Sequence, residues 1–167
     1  PGTYGSTTGL WTEACSGFCA TGSICPQGST SSLGNGATCE QGYYCTSALQ
    51  LCDAALPCGG VELYCPKGSG APIDVDDGYY TLPELVAKET TRSSQAQCLA
   101  GYQCASGRKT PCGSAAYWSA AGQSNCTKES AGYFTVGGTS ADYRTGQSRC
   151  PIGSYCSGGV MHLAPRG

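Results

Sequence analysis

The sequence predicts a small disulfide-rich protein, mostly loop with short β-strands, built as elongated serial cysteine-rich modules with at most one short helix. Three observations predict it. The 167 residues include 14 Cys and 26 Gly. Only 20 of them are Leu, Ile, Val or Phe, about 12% against the ~20% below which a packed hydrophobic core is not expected. And the segment C-x-x-G-x-x-C recurs four times, at Cys19–Cys25, Cys39–Cys45, Cys98–Cys104 and Cys150–Cys156. A chain this poor in aliphatic residues would ordinarily be disordered, but disordered chains are highly charged and poor in Cys. Here charged residues make up 12% and the net charge is −2. Crosslinks take the place of burial in offsetting the entropy of ordering the chain.

Each element follows from local residues. The first portion, residues 1–65, holds Cys15, Cys19, Cys25, Cys39, Cys45, Cys52, Cys58 and Cys65. Cys58–Cys65 is a variant of the repeated segment, one residue longer. Cys25, Cys65 and Cys150 each open a C-P-x-G turn, in which Pro presets φ and Gly supplies a positive φ beside a crosslink. The second portion, residues 66–112, carries Gly78-Tyr-Tyr-Thr81, then Cys98, Cys104 and Cys112. The third, residues 113–167, carries Cys126, then Gly132-Tyr-Phe-Thr135, Cys150 and Cys156, and a link towards a following repeat. The two later portions echo each other at an offset of 52 to 54 residues, the signature of repeated modules. Short strands are expected at the Gly-Tyr-Tyr positions and at Tyr preceding Cys, since aromatic residues suit half-buried pleated surfaces. One short helix is expected over Thr81–Glu89, with Thr81 as cap and Glu84 at the capping-box spacing. The remainder reads as turn and loop.

The fourteen cysteines are expected to form disulfides within the chain, their even number matching seven bridges whose connectivity the sequence leaves open. Zinc fails on spacing. No C-x2-C occurs, and His162 is the single histidine, in an expected linker. Bridges at this density place the protein outside the cell or on its surface. Pro1 opens the chain with no charged or apolar leader, which reads as a mature piece of something larger. No run of ~18 apolar residues would span a membrane. Nine Lys and Arg, scattered, with Arg144, Arg149 and Arg166 expected on the surface, make no basic patch for nucleic acid. Asp74-Val-Asp-Asp77 lacks the ligand spacing of a calcium loop and reads as a solvated turn. Oxidised cysteines supply no thiolate, and no activated nucleophile stands near His162, so an enzyme is not expected. Nor is a cofactor.

Several stretches resemble a known family. Pro1-Gly-Thr-Tyr-Gly5, Gly9-Leu10, Cys15-Ser-Gly-Phe-Cys19, Cys25-Pro-Gln-Gly-Ser-Thr30, Cys65-Pro-Lys-Gly-Ser-Gly-Ala-Pro72 and Gly78-Tyr-Tyr-Thr81 carry the resemblance. They resemble the tyrosine-, glycine- and cysteine-rich repeats of large protist and algal surface proteins, which are similar to ephrin-receptor-like and growth-factor-receptor-like modules. The resemblance implies a secreted, multi-module glycoprotein, of the kind that includes subunits of flagellar hairs (mastigonemes). True EGF modules need a C-x-C that is absent here. The resemblance further implies that Tyr155–Gly159 leads into another copy, with Ala164 standing where the family has Cys. Partners would then be copies of the chain or neighbouring repeats, joined head to tail.

Asn125-Cys-Thr127 is an N-glycosylation sequon. The hydroxyl clusters Thr7-Thr8, Ser29-Thr30-Ser31-Ser32, Thr90-Thr91 and Ser93-Ser94 are candidates for O-linked glycans or plain solvated loops. Two functions remain, a structural repeat of a glycosylated extracellular filament or coat, and an adhesion or receptor module with a protein or carbohydrate ligand. A binding module gathers exposed aromatic residues on one face. Tyr recurring beside Gly or Cys in every unit favours the structural repeat.

Overall fold

The computed structural model describes residues 2–12, 14–46 and 55–165. Among them every strand pairs with its neighbour in sequence, giving eight two-stranded sheets. Strand β1 (Thr3–Tyr4) pairs with β2 (Gly17–Phe18), β3 (Tyr43–Tyr44) with β4 (Leu56–Pro57), and β5 (Leu63–Tyr64) with β6 (Ile73–Asp74). Four-residue strands follow: β7 (Tyr79–Leu82) with β8 (Ser94–Gln97), and β9 (Tyr102–Ala105) with β10 (Arg108–Pro111). The last three pairs are β11 (Tyr117–Trp118) with β12 (Thr127–Lys128), β13 (Tyr133–Val136) with β14 (Gly146–Arg149), and β15 (Ser154–Ser157) with β16 (Val160–Leu163). The tyrosine positions picked out by sequence are strands, as expected of aromatic residues on a half-buried pleat.

The described residues contain no α-helix, only three single 3-10 turns. The helix expected over Thr81–Glu89 is replaced by the end of β7 and a 3-10 turn at Val86–Lys88, preceded by Leu85 with no side-chain cap. Thr81 is fully buried and donates its hydroxyl to the Val61 carbonyl. Burial there outweighs the half-kilocalorie scale of helix propensity and removes Thr81 from any capping role.

Strands β3, β7, β9, β13 and β15 are entered through one kind of turn, which also occurs at Ala20, Pro26 and Pro66. At Ala20, Pro26, Glu40, Pro66, Asp76, Leu99, Ser130 and Pro151 the carbonyl accepts the N–H three residues on. The third residue of each turn is glycine with φ between 76° and 85°, the conformation a type II turn requires at that place. In C-x-x-G-x-x-C the glycine therefore sits at the apex, and the two cysteines leave the turn close enough to be bridged.

Cα–Cα distances of 5.7–5.9 Å hold for all six bridges among the described residues, inside the preferred range for a disulfide. They are Cys19–Cys25, Cys39–Cys45, Cys58–Cys65, Cys98–Cys104, Cys112–Cys126 and Cys150–Cys156. Cys15 is joined to no described residue, and Cys52 lies outside the described residues. Of the buried hydrophobic side chains among the described residues, eight are cystine halves and only Val61 and Tyr80 are not. The crosslinks thus do two jobs, constraining the unfolded chain and filling the interior. The chain divides into two compact units, Pro1–Val75 with Thr81–Ser94 and Asp76–Tyr80 with Gln95–Gly167.

Candidate functional site

Among the described residues no cluster of three or more His, Cys, Asp or Glu could hold a metal ion. What recurs is a backbone arrangement that fastens one module onto another, here called a clasp. In the pair formed by Cys39–Cys45 and Cys65–Ser69, three backbone bonds make it. Gly42 N–H donates to Cys65 C=O (2.7 Å), Gly68 N–H to Cys39 C=O (2.8 Å), and Cys45 N–H to Ser69 C=O (3.0 Å). The same three recur between Cys98–Cys104 and Ser119–Gln123. Gly101 N–H donates to Ser119 C=O (2.9 Å), Gly122 N–H to Cys98 C=O (2.8 Å), and Cys104 N–H to Gln123 C=O (3.1 Å). At the start of the chain Gly2 N–H donates to Cys25 C=O and Gly5 N–H to Ser29 C=O, both at 3.0 Å. The clasping segments are Cys25-Pro-Gln-Gly-Ser29, Cys65-Pro-Lys-Gly-Ser69 and Ser119-Ala-Ala-Gly-Gln123. Two of the C-P-x-G turns read from sequence are therefore the fastening elements themselves.

A second rule links modules in order. The turn glycine's carbonyl accepts the amide of the first cysteine of the next bridge, as in Cys39 to Gly22, Cys58 to Gly42, Cys98 to Gly78, Cys112 to Gly101 and Cys150 to Gly132. Ala164 N–H makes the same bond to Gly153 C=O, at 2.9 Å. Ala164 occupies a first-cysteine position without its sulfur.

The 52-to-54-residue echo extends to individual contacts. Thr81 Oγ1 donates to Val61 C=O, and Thr135 Oγ1 to Ala115 C=O. Cys65 N–H donates to Arg92 C=O, and Ser119 N–H to Arg144 C=O. Asp76 N–H donates to Gln95 Oε1, and Ser130 N–H to Gln147 Oε1. Partners up to Thr81 recur 54 positions on and those from Arg92 recur 52 on, so the two-residue difference falls between them.

Ser119 shows what sequence reading missed. Cys112 and Ser119 have the spacing of Cys58 and Cys65, so Ser119 stands at a second-cysteine position. It is fully buried there and donates its hydroxyl to Tyr102 C=O. Cys112, deprived of that partner, is bridged to Cys126 across a separation of 14, where the other five bridges span 6 or 7. The matching spacing was the available signal.

The remaining candidates are scattered. Asn125 and Thr127 are exposed, flanking the bridged Cys126. Thr7, Thr8, Thr30, Thr90 and Ser94 are exposed, and Ser31, Ser32, Thr91 and Ser93 are half-buried. Ser29 is buried, its hydroxyl donating to Pro26 C=O at 2.8 Å. His162 lies in β16 rather than in a linker, stacked on Tyr155 with ring centres 4.9 Å apart. Arg144 is half-buried rather than on the surface, because its Nη1 reaches back to Gly137 C=O at 3.2 Å. Arg149 is exposed, and Arg166 lies outside the described residues. Asp76 in the acidic run accepts from Gln95 Nε2 across its turn. No helix among the described residues is long and apolar enough to cross a membrane. Compared with protein-family models, curated proteins and solved structures, the chain matches none.

Proposed function

We infer that this extracellular protein is a structural repeat of a filament or surface coat, stapled by disulfides and glycosylated on its loops. The observation that carries the reading is the clasp. Backbone bonds of one pattern fasten module to module, while the interior between them is mostly cystine. Such an arrangement depends little on side-chain identity and can be extended by repetition. The tyrosines support it. Nine of the eleven are buried or half-buried, and only Tyr117 and Tyr155 are exposed. They fill the modules and do not form a concentrated aromatic face of the kind an adhesion or receptor module presents. The resemblance to algal and protist surface repeats points the same way.

The test is on native material. Antibody to this chain, used on surface-derived filaments and sheaths under the electron microscope, is expected to decorate them at a regular axial interval. Mass spectrometry of the same material is expected to find glycans on its peptides. Labelling confined to dispersed receptors at the cell membrane would overturn the structural reading in favour of a ligand-binding one.

A further inference from the structure

Among the described residues Tyr102 and Tyr143 are the two tyrosines whose rings meet, with centres 5.1 Å apart and planes tilted by 46°. They lie 41 positions apart in the chain, and the backbone under each is fixed. Tyr102 follows the turn glycine Gly101, which the Ser119–Gln123 clasp holds, and its carbonyl accepts the buried Ser119 hydroxyl at 2.6 Å. Tyr143 ends the 3-10 turn Ala141–Tyr143. The carbonyls of its neighbours Asp142 and Arg144 accept Gly113 N–H and Ser119 N–H, each at 3.1 Å. Lys109 Nζ stands 5.5 Å from the Tyr102 ring centre, a cation–π contact that further restrains that ring. Both tyrosines are half-buried, held by packing yet within reach of a small oxidant.

The fold does not require this pair. A Cβ on Gly101 would lie 2.5 Å from Tyr143 C=O, and one on Gly42 2.5 Å from Thr91 C=O. Gly42, Tyr43 and Thr91 are thus the first unit's counterparts of Gly101, Tyr102 and Tyr143. Threonine fills the place of Tyr143 there, so the backbone contact forms without a second ring. Nor does a disulfide join the two segments. The bridges within residues 95–167 are Cys98–Cys104, Cys112–Cys126 and Cys150–Cys156, and none runs from the segment holding Tyr102 to the one holding Tyr143.

We propose that Tyr102 and Tyr143 are a site of oxidative crosslinking, joined as a dityrosine when an extracellular haem peroxidase and hydrogen peroxide act on the protein. Each phenol gives up its hydroxyl hydrogen and becomes a phenoxyl radical. The radicals couple through ring carbons ortho to oxygen, forming one C–C bond; the two C–H bonds there break and their hydrogens return to the oxygens. The pair is oxidised by two electrons and loses two hydrogens, while one hydrogen peroxide is reduced to two waters. Rings already in contact couple within the chain, a step that outruns encounters between dilute chains. The new bond ties covalently two segments that hydrogen bonds and packing hold. Only the extracellular setting is taken from the reading above, so failure of the native-filament test leaves this proposal standing, and the converse holds.

The experiment treats the full, disulfide-bonded chain, dilute, with a haem peroxidase and limiting hydrogen peroxide, and maps its peptides by mass spectrometry. The expected product is a monomer with the blue fluorescence of coupled phenols, lighter by two hydrogens, in which the Tyr102 and Tyr143 peptides are joined. Tyr102→Phe and Tyr143→Phe keep each ring and remove its hydroxyl, and each is expected to lower the monomer's fluorescence about tenfold or more. Tyr43→Phe, at the counterpart position of the first unit, is expected to leave it unchanged. Non-reducing maps verify that the variants keep their disulfides. Coupling only between chains, through the exposed Tyr117 and Tyr155, overturns the proposal. So does coupling within the chain at another pair, or none while free tyrosine in the same mixture is consumed.

Discussion

Thr135 is 3% exposed, and its hydroxyl donates to Ala115 C=O and faces Gly159 C=O at 3.1 Å. It occupies the place, three residues after a turn glycine, that Cys45 and Cys104 occupy elsewhere, so a hydrogen-bonding side chain substitutes for a staple. Thr135→Val keeps the volume and takes the donor from Ala115 C=O, while Gly159 C=O keeps the Thr135 N–H, and should cost about 1–3 kcal/mol by denaturant titration of the oxidised protein. A value near zero would show that water reaches the Ala115 carbonyl. Two glycines separate backbone conformation from contact. Gly101→Ala and Gly132→Ala both carry the ~1–2 kcal/mol of left-handed backbone, but only Gly101 adds a Cβ against Tyr143 C=O. Gly101→Ala is expected to be clearly the more destabilising of the two in the same titration. At Asn125 the side chain is exposed, while the middle residue of its sequon is committed to a bridge. Peptide mapping of secreted protein should find glycan there, and Cys126→Ser should raise its occupancy by freeing the sequon; an unmodified Asn125 in both forms would exclude the site.

At the level of elements, cystines differ in what they stabilise. Chain entropy alone ranks Cys112–Cys126 above Cys39–Cys45, because its loop is longer, but the logarithm makes that advantage only about 0.7 kcal/mol. Burial works the other way. Cys39 is fully buried and Cys45 nearly so, whereas Cys112 and Cys126 are half-exposed. Replacing Cys39 and Cys45 by Ser puts two hydroxyls into the interior at about 1–3 kcal/mol each. The double Ser variant at 39 and 45 should therefore melt well below that at 112 and 126; the reverse order would mean that loop length governs. The tyrosine strands were legible in the sequence because Tyr beside Gly or Cys marks a pleat entered through a turn; their partners, such as β8, β10, β14 and β16, carry no Tyr and read as loop. The 52-to-54 offset was legible too, since glycine and cysteine keep their places. The Thr81–Glu89 helix was misread because capping-box spacing is a local signal, and Thr81 answers to the Val61 carbonyl twenty residues away. The Cys112–Cys126 pairing was hidden by Ser119, which only alignment against Cys65 exposes. The clasps escaped because backbone bonds leave no side-chain trace beyond the glycine at their apex.

For the molecule as a whole, the interior is held by covalent bonds and very little oil. Reduction should remove hydrogen-exchange protection from the strands of both units, since among the described residues Val61 and Tyr80 are the fully buried apolar side chains besides the cysteines and the other tyrosines are at most half-buried. Strands still protected after complete reduction would show that the clasps suffice alone. The locality of the bridges also bears on how the protein is made. Five of the six join cysteines 6 or 7 residues apart. At synthesis rates of about 5–20 residues per second, such a pair emerges into an oxidising lumen within roughly a second. Each thiol meets its neighbour before a distant competitor exists, so oxidation can follow the order of emergence and the many possible mispairings are never sampled. Of the first partners in the six described bridges, Cys112 must wait through fourteen residues, and a folding catalyst for this chain would find work there.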